Sequence, residues 1–283
     1  MRPFLLFLPI GILAISTASI FVKLCDAPAL IIAAYRMSVA SLLLLPFAVH
    51  QKIWARWTGK EVPWLLLSGL FLSLHFAFWI ASLKYTSVAS SVVLVTTQPI
   101  FVAIGERFFL KERPGLSFLL AIGLTLLGSV MIGYGDLRMS EMALWGDGLA
   151  VLGAITASGY FLVGRKMRKG QDLFTYIFPV YSTAGVALIF FALISQKSFT
   201  GYSAATYLFF ILLAVVPQLI GHTIFNWALK FLPASMVVIT ILGEPVGSTI
   251  LAYFILGEAL TLWKVLGGIS IFTGIVIALR GHR

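Results

Sequence analysis

Apolar residues in this chain come in long stretches separated by short polar gaps. Ten stretches of spanning length can be drawn, at 4–24, 28–49, 62–83, 88–110, 115–135, 143–164, 173–195, 206–229, 234–256 and 261–280. About 20 apolar residues carry a helix across the hydrocarbon core of a bilayer. The gaps hold turn and breaker residues: Asp26-Ala27-Pro28, Arg113-Pro114-Gly115, Gly133-Tyr134-Gly135-Asp136, Lys169-Gly170-Gln171-Asp172 and Pro233. The pattern predicts an all-α membrane protein of ten transmembrane helices. The first stretch competes with a secretory signal. It is long for the apolar part of one, and no Ala-x-Ala-like site follows it. Lys23 also stands where a lipoprotein signal needs a small residue before Cys25. A retained first helix is expected.

Two stretches carry a polar residue followed by proline. Glu244-Pro245 lies within 234–256, and Gln98-Pro99 lies 146 positions earlier, within 88–110. A carboxylate deep in a bilayer is expensive, so it usually faces a partner or a wet cavity. Each proline removes a backbone donor and frees a carbonyl at the same depth. The same shift aligns 84–112 with 230–258. Lys84 meets Lys230, Val92 meets Val238, Pro99 meets Pro245, Ile104 meets Ile250, Phe108 meets Phe254, Leu110 meets Leu256 and Glu112 meets Glu258. Gly128 meets Gly274 further on. With small offsets, Thr17-Ala18-Ser19 meets Thr156-Ala157-Ser158, and His75 falls near His222. Five helices per repeat is an odd number, so the second copy must run inverted. The expected division is 1–136 and 143–283. An inverted repeat around a midplane site marks secondary transporters.

Composition agrees with a bilayer as solvent. The chain is 60% hydrophobic and 11% charged, with mean hydropathy +1.03. A net charge of +10 raises nucleic acid as a partner. The basic residues lie in the short gaps, however, and read as topology signals, so no nucleic acid is expected. With the N-terminus inside, 14 of the 20 Lys and Arg fall on the inner side, five fall outside, and Arg36 lies within a helix. That split predicts both termini in the cytoplasm and a multi-pass protein of the inner (plasma) membrane. The single cysteine, Cys25, excludes an intrachain disulfide and argues against a multi-cysteine metal site. No metal or cofactor is expected.

The run Ala81-Ser82-Leu83-Lys84-Tyr85-Thr86-Ser87-Val88-Ala89, then Gln98-Pro99, then Phe108-Phe109-Leu110-Lys111-Glu112 resembles the drug/metabolite transporter superfamily, EamA type. The second copy, Ala228-Leu229-Lys230-Phe231-Leu232-Pro233-Ala234-Ser235, then Glu244-Pro245, then Phe254-Ile255-Leu256-Gly257-Glu258, is closer still. Arg36 in the second helix also suits the resemblance. Gln98 and Lys111 depart from it, the latter where glycine is common. The resemblance implies a ten-helix exporter or facilitator of amino acids or other small metabolites, with two bundles around a central cavity. It names no substrate.

Within that frame Glu244 is a proton carrier or a counter-ion for an amino group, or else a carboxylate kept for packing or for Arg36. Gln98 is its uncharged counterpart, or interhelical glue. Arg36 stays charged and must find acceptors. It either binds a substrate carboxylate or locks the structure by pairing with Glu244 or with broken-helix carbonyls; the structural role is favoured. His75 and Trp79 share one helix face at spacing i, i+4, as do His222 and Asn226. Gln218 lies one turn before His222. These faces are expected to line one cavity, the alternative for each histidine being a neutral ring bonded to a neighbouring helix. Pro99 and Pro245 would supply non-helical backbone for binding and gating. Glu106 reads as an interfacial carboxylate or a partner of Arg107, Glu112 and Glu258 as helix caps in preference to gate ion pairs, and Trp64 and Trp145 as interfacial anchors. Gly123, Gly128 and Gly133, with Gly267, Gly268 and Gly274, place the fifth and tenth helices at the periphery, holding the fold or a homodimer contact. No His-Glu-x-x-His, Gly-x-Ser-x-Gly or phosphate-cradling loop occurs. The reading is a secondary transporter working by alternating access, with a small-molecule substrate and possible coupling to protons. The rivals are an intramembrane enzyme acting on a lipid-like substrate, with Glu244 and His75 as acid and base, and a non-transporting scaffold or sensor.

Overall fold

Without water, every backbone N–H and C=O in a lipid-embedded segment must be bonded within the protein, and helices do this locally. The computed structural model describes residues 4–86, 88–111, 115–134, 141–257 and 259–281, and among them no strand forms. The first three helices are α1 (Phe4–Leu24), α2 (Ala29–His50) and α3 (Val62–Tyr85). Helix α4 is interrupted: it runs Val88–Val95, resumes at Gln98–Gly105 and ends in a π-turn at Glu106–Leu110. Then come α5 (Leu116–Tyr134), α6 (Glu141–Arg168) and α7 (Leu173–Ile194). Helix α8 runs Ala204–Leu213, widens to π geometry over Ala214–His222 and closes with Thr223–Ala228. Helix α9 is broken into Ala234–Ile241 and Glu244–Leu256, and α10 is Leu262–Gly281. Eight of these are long and apolar enough to cross a membrane, while α5 and α10 carry the shorter apolar stretches Leu116–Met131 and Leu262–Ala278.

The two breaks fall at corresponding places. Thr96-Thr97 and Leu242-Gly243 each form a turn, so Gln98 and Glu244 become the first residues of the resumed helices. The turns are closed by short-range bonds, from Thr97 N–H to the Leu94 carbonyl at 3.2 Å and from Gly243 N–H to the Thr240 carbonyl at 3.1 Å. Pro99 and Pro245 sit in the first turn that follows, where the missing N–H costs least. The ends correspond too. Gly257 closes α9 at φ 70°, and Lys111 closes α4 at φ 56°, in the left-handed region a glycine occupies without penalty. Glu112 and Glu258 lie outside the described residues.

Helices α3 and α6 pack antiparallel along their length. Gly146 approaches Tyr85 and Thr86 at one end, and Lys166 sits over the Trp64 ring, 3.4 Å from its centroid, at the other. This contact, with Arg165 reaching α8, extends α6 past the apolar stretch 143–164 to Arg168. Helix α2 packs on α7, while α1 packs on α8 and α9. Helices α5 and α10 pack on each other. A Cβ on Gly128 would stand 2.5 Å from the Gly267 carbonyl oxygen, and one on Gly274 would stand 2.9 Å from that of Ala121. Ser270 Oγ donates to the Leu124 carbonyl at 2.8 Å across the same contact. In lipid there is little hydrophobic drive between helices, so close backbone approach of this kind is what holds them.

The paired helix ends make a simple prediction. A left-handed backbone costs a residue with a Cβ about 1–2 kcal/mol. Lys111→Gly should raise thermal stability in detergent and Gly257→Ala should lower it, each by about 1 kcal/mol. A Lys111→Gly protein that melts lower than wild type would contradict the strain at that position.

Candidate functional site

The helix breaks matter because they lie beside a cavity. Seven helices line it: α1 with Ile15 and Ala18, α2 with Arg36, α3 with His75, Phe76 and Trp79, α4 with Val95 and Gln98, α6 with Phe161, α8 with His222 and Phe225, and α9 with Ile241 and Glu244. Among the described residues, helices α5, α7 and α10 supply no lining side chain. The space open to the centre of a water molecule is about 30 Å³, room for about two waters.

Arg36 is 1% exposed and held from two sides. Its Nε donates to Gln218 Oε1 at 3.0 Å, and its guanidinium carbon lies 4.0 Å from the Phe76 ring centroid. This fixes the plane of the group and leaves Nη1 without a hydrogen-bond partner. Gln218 comes from the π segment, which also contains Pro217; such widened turns are frequent at functional positions. Arg36 and Glu244 line the same cavity, but no N···O contact within 4.0 Å joins them.

The other expected residues divide between the cavity and its walls. His75 Nδ1 lies 3.0 Å from the Gly153 carbonyl of α6, so that nitrogen carries the proton and donates. Its ring runs parallel to Trp79, 4° apart in plane and 6.1 Å between centroids. Trp79 Nε1, Gln98 Oε1 and His222 Nδ1 have no protein partner, and all three side chains line the cavity. Buried polar atoms left in that state cost about 1–3 kcal/mol each, so their clustering is a signature of a site. Asn226 does not reach the cavity. Its Nδ2 donates to the Tyr160 hydroxyl at 2.5 Å and to the Tyr181 hydroxyl at 3.3 Å, inside the contact of α6, α7 and α8.

The breaks are fastened alike. Ser158 Oγ of α6 donates to the Gln98 carbonyl at 3.1 Å, and Ser16 Oγ of α1 approaches the Glu244 carbonyl at 3.4 Å. Ser248 Oγ returns a bond to the Ser16 carbonyl at 3.1 Å. Gly247 makes room for this: a Cβ there would stand 2.2 Å from Ser16 Oγ. Glu106 serves the fold in a way its neighbour Arg107 did not suggest. It is 2% exposed, and its Oε1 accepts the Ser235 N–H at 2.9 Å, capping the start of α9. Phe76, Phe161 and Phe225 were not expected as lining residues. In a chain with 23 phenylalanines, nothing local marks them.

If Gln218 is what partners Arg36, removing it leaves a buried guanidinium nitrogen unsatisfied. Gln218→Leu should destabilise the protein by about 2 kcal/mol in thermal unfolding, and Gln218→Glu should be tolerated better because a carboxylate restores the acceptor. Equal losses in the two variants would show that Arg36 does not depend on that contact.

Comparison with known proteins adds family relationships. The model of the EamA-like transporter family matches residues 3–134 and 144–280. A protein of Archaeoglobus fulgidus named an uncharacterized transporter is 26% identical over 264 residues, covering 93% of this chain and 92% of its own. The uncharacterized transporter YdfC of Bacillus subtilis is 27% identical over 249 residues, covering 86% of this chain and 79% of its own. A solved crystal structure superposes with a TM-score of 0.79 at 16% identity, covering 98% of this chain and 96% of that one, and so shares the fold.

Proposed function

The chain belongs to the EamA-like transporter family, and on that premise we propose that it is a secondary transporter of small zwitterionic metabolites such as amino acids. The observation that carries this reading is the placement of Arg36 and Glu244 in one cavity without a contact ion pair. A guanidinium nitrogen with no partner is a ready ligand for a carboxylate, and a nearby carboxylate is a ready ligand for an ammonium group. Trp79 and Phe76 add apolar and aromatic surface beside them. In this hypothesis the protein lies in the inner membrane with both termini in the cytoplasm, and its ten helices form two inverted repeats, 1–136 and 143–283.

Room for about two waters is too little for such a substrate, so the helices must part to admit one. Alternating access provides that movement. The matched breaks at Thr96-Thr97 and Leu242-Gly243, and the matched serine bonds from Ser16 and Ser158, support two equivalent halves moving about the cavity. Pro99 and Pro245 keep the backbone interrupted there. Glu244 is the coupling group of the hypothesis, because it can pick up and release a proton, whereas Gln98 at the corresponding position cannot.

The test is flux of a pooled set of labelled amino acids and metabolites in proteoliposomes, with and without a pH gradient. Wild type should give saturable flux of at least one compound that responds to the gradient. Glu244→Gln should lose the gradient response, by about tenfold or more, while keeping part of the exchange. An undiminished response in Glu244→Gln would remove Glu244 from coupling, and no flux across the pool from folded protein would overturn the transport reading.

A further inference from the structure

One turn beyond the cavity, toward each end of the bundle, a cationic side chain crosses between two of the helices that line it. At one end Lys23 of α1 donates from Nζ to the Leu83 carbonyl of α3 at 2.9 Å. At the other end Arg165 of α6 donates from Nη1 to the Leu229 carbonyl of α8 at 2.8 Å, and lies 3.4 Å from the Lys230 carbonyl. The acceptors, Leu83 and Leu229, are 146 positions apart, the same interval that separates Gln98 from Glu244. Leu83 lies in the last turn of α3 and Leu229 is the residue that caps α8, positions whose carbonyls lack an intrahelical N–H and where the helix dipole favours a cation.

The spacing to the cavity also corresponds. Trp79 lines the cavity four residues before Leu83, and Phe225 does so four residues before Leu229. Ala18 precedes Lys23 by five residues, and Phe161 precedes Arg165 by four. Each crossing therefore lies about 6 Å beyond the lining residues. The two crossings sit at opposite ends, because α3 and α6 run antiparallel, with Trp64 beside Lys166 and Tyr85 beside Gly146. Both are made in this conformation, in which the cavity is small.

We infer that Lys23 and Arg165 are paired gating residues, each latching one mouth of the cavity by pinning two of its lining helices together. The inference deepens the alternating-access reading and rests on it. Opening one mouth requires α1 to leave the end of α3, which breaks the Lys23 bond. Opening the other requires α6 to leave the end of α8, which breaks the Arg165 bond. A charged hydrogen bond at each mouth makes the two opened states comparable in cost, a condition for a cycle that visits both. Neutralising one latch should therefore bias the protein toward the state open at that mouth and away from the state open at the other.

Cys25 supplies a native reporter for the first mouth. It is 3% exposed, its carbonyl faces Lys84 Nζ at 3.5 Å, and burial pushes its thiol up to about 12, so it should label slowly in wild type. For the second mouth, Ala228→Cys in a Cys25→Ala background places the reporter beside Leu229 in a fully buried position. Purified full-length protein would be labelled with a maleimide reagent, with no substrate present. Lys23→Met should raise labelling at Cys25 about tenfold and leave labelling at Ala228→Cys unchanged or lower; Arg165→Met should do the reverse. Lys23→Arg keeps a donor and should stay close to wild type, which separates loss of the latch from misfolding. Increases at both mouths in either Met variant, or at neither, would overturn the inference. Opposite shifts in protein that moves no compound would keep the latches and weigh against transport, while flux without opposite shifts would reject the latches alone.

Discussion

A charged guanidinium in the interior of a membrane protein must be paired, hydrogen-bonded or hydrated, and how Arg36 meets that demand shapes the rest of the molecule. It is not closed off by an acid. A neutral amide holds one nitrogen and an aromatic face covers the plane. That solution preserves the full positive charge and keeps one nitrogen available. It draws on Gln218, carried by the π segment of α8, and on the Phe76 ring of α3. Glu244 lines the same cavity without closing on Arg36, so the guanidinium is held by an amide and a ring in place of an ion pair.

The same economy explains the broken helices. An interrupted helix in a membrane exposes backbone groups that need new partners. Here serine hydroxyls from α6 and α1 add bonds at the carbonyls of Gln98 and Glu244, the first residues of the resumed helices. A small residue makes one of those approaches possible: Gly247 leaves the room that Ser16 fills. The breaks are therefore supported features of the fold, fixed in place by helices on both sides.

Much of this was legible in the chain. Length and apolarity located the helices, and the spacing of Gln98-Pro99 and Glu244-Pro245 located the two interruptions within a residue or two. Polar residues stranded in apolar stretches pointed to Arg36, His75, Trp79, His222 and Glu244, because a bilayer makes each of them costly. What could not be read were the relations among helices far apart in sequence. The bond between Arg36 and Gln218 spans 182 positions and has no local trace. Asn226 shares a helical spacing with His222, yet its amide bonds to Tyr160 and Tyr181 and does not line the cavity. Glu106 was judged by its neighbour in sequence, whereas its partner is the start of a helix 129 residues away. Periodicity describes a face; it does not say which face another helix will meet.

The contact between α5 and α10 has a mechanical consequence. At Gly128 and Gly274 the helices are so close that a Cβ would fall within 3 Å of a carbonyl oxygen of the other helix, so a slip along the contact would produce a collision or a void. Sliding is thus ruled out as an easy motion at this seam. One helix of the seam belongs to each half of the sequence, and neither reaches the cavity. In the alternating-access cycle proposed above, such a seam would resist sliding and leave turning about it as the cheaper motion between the halves.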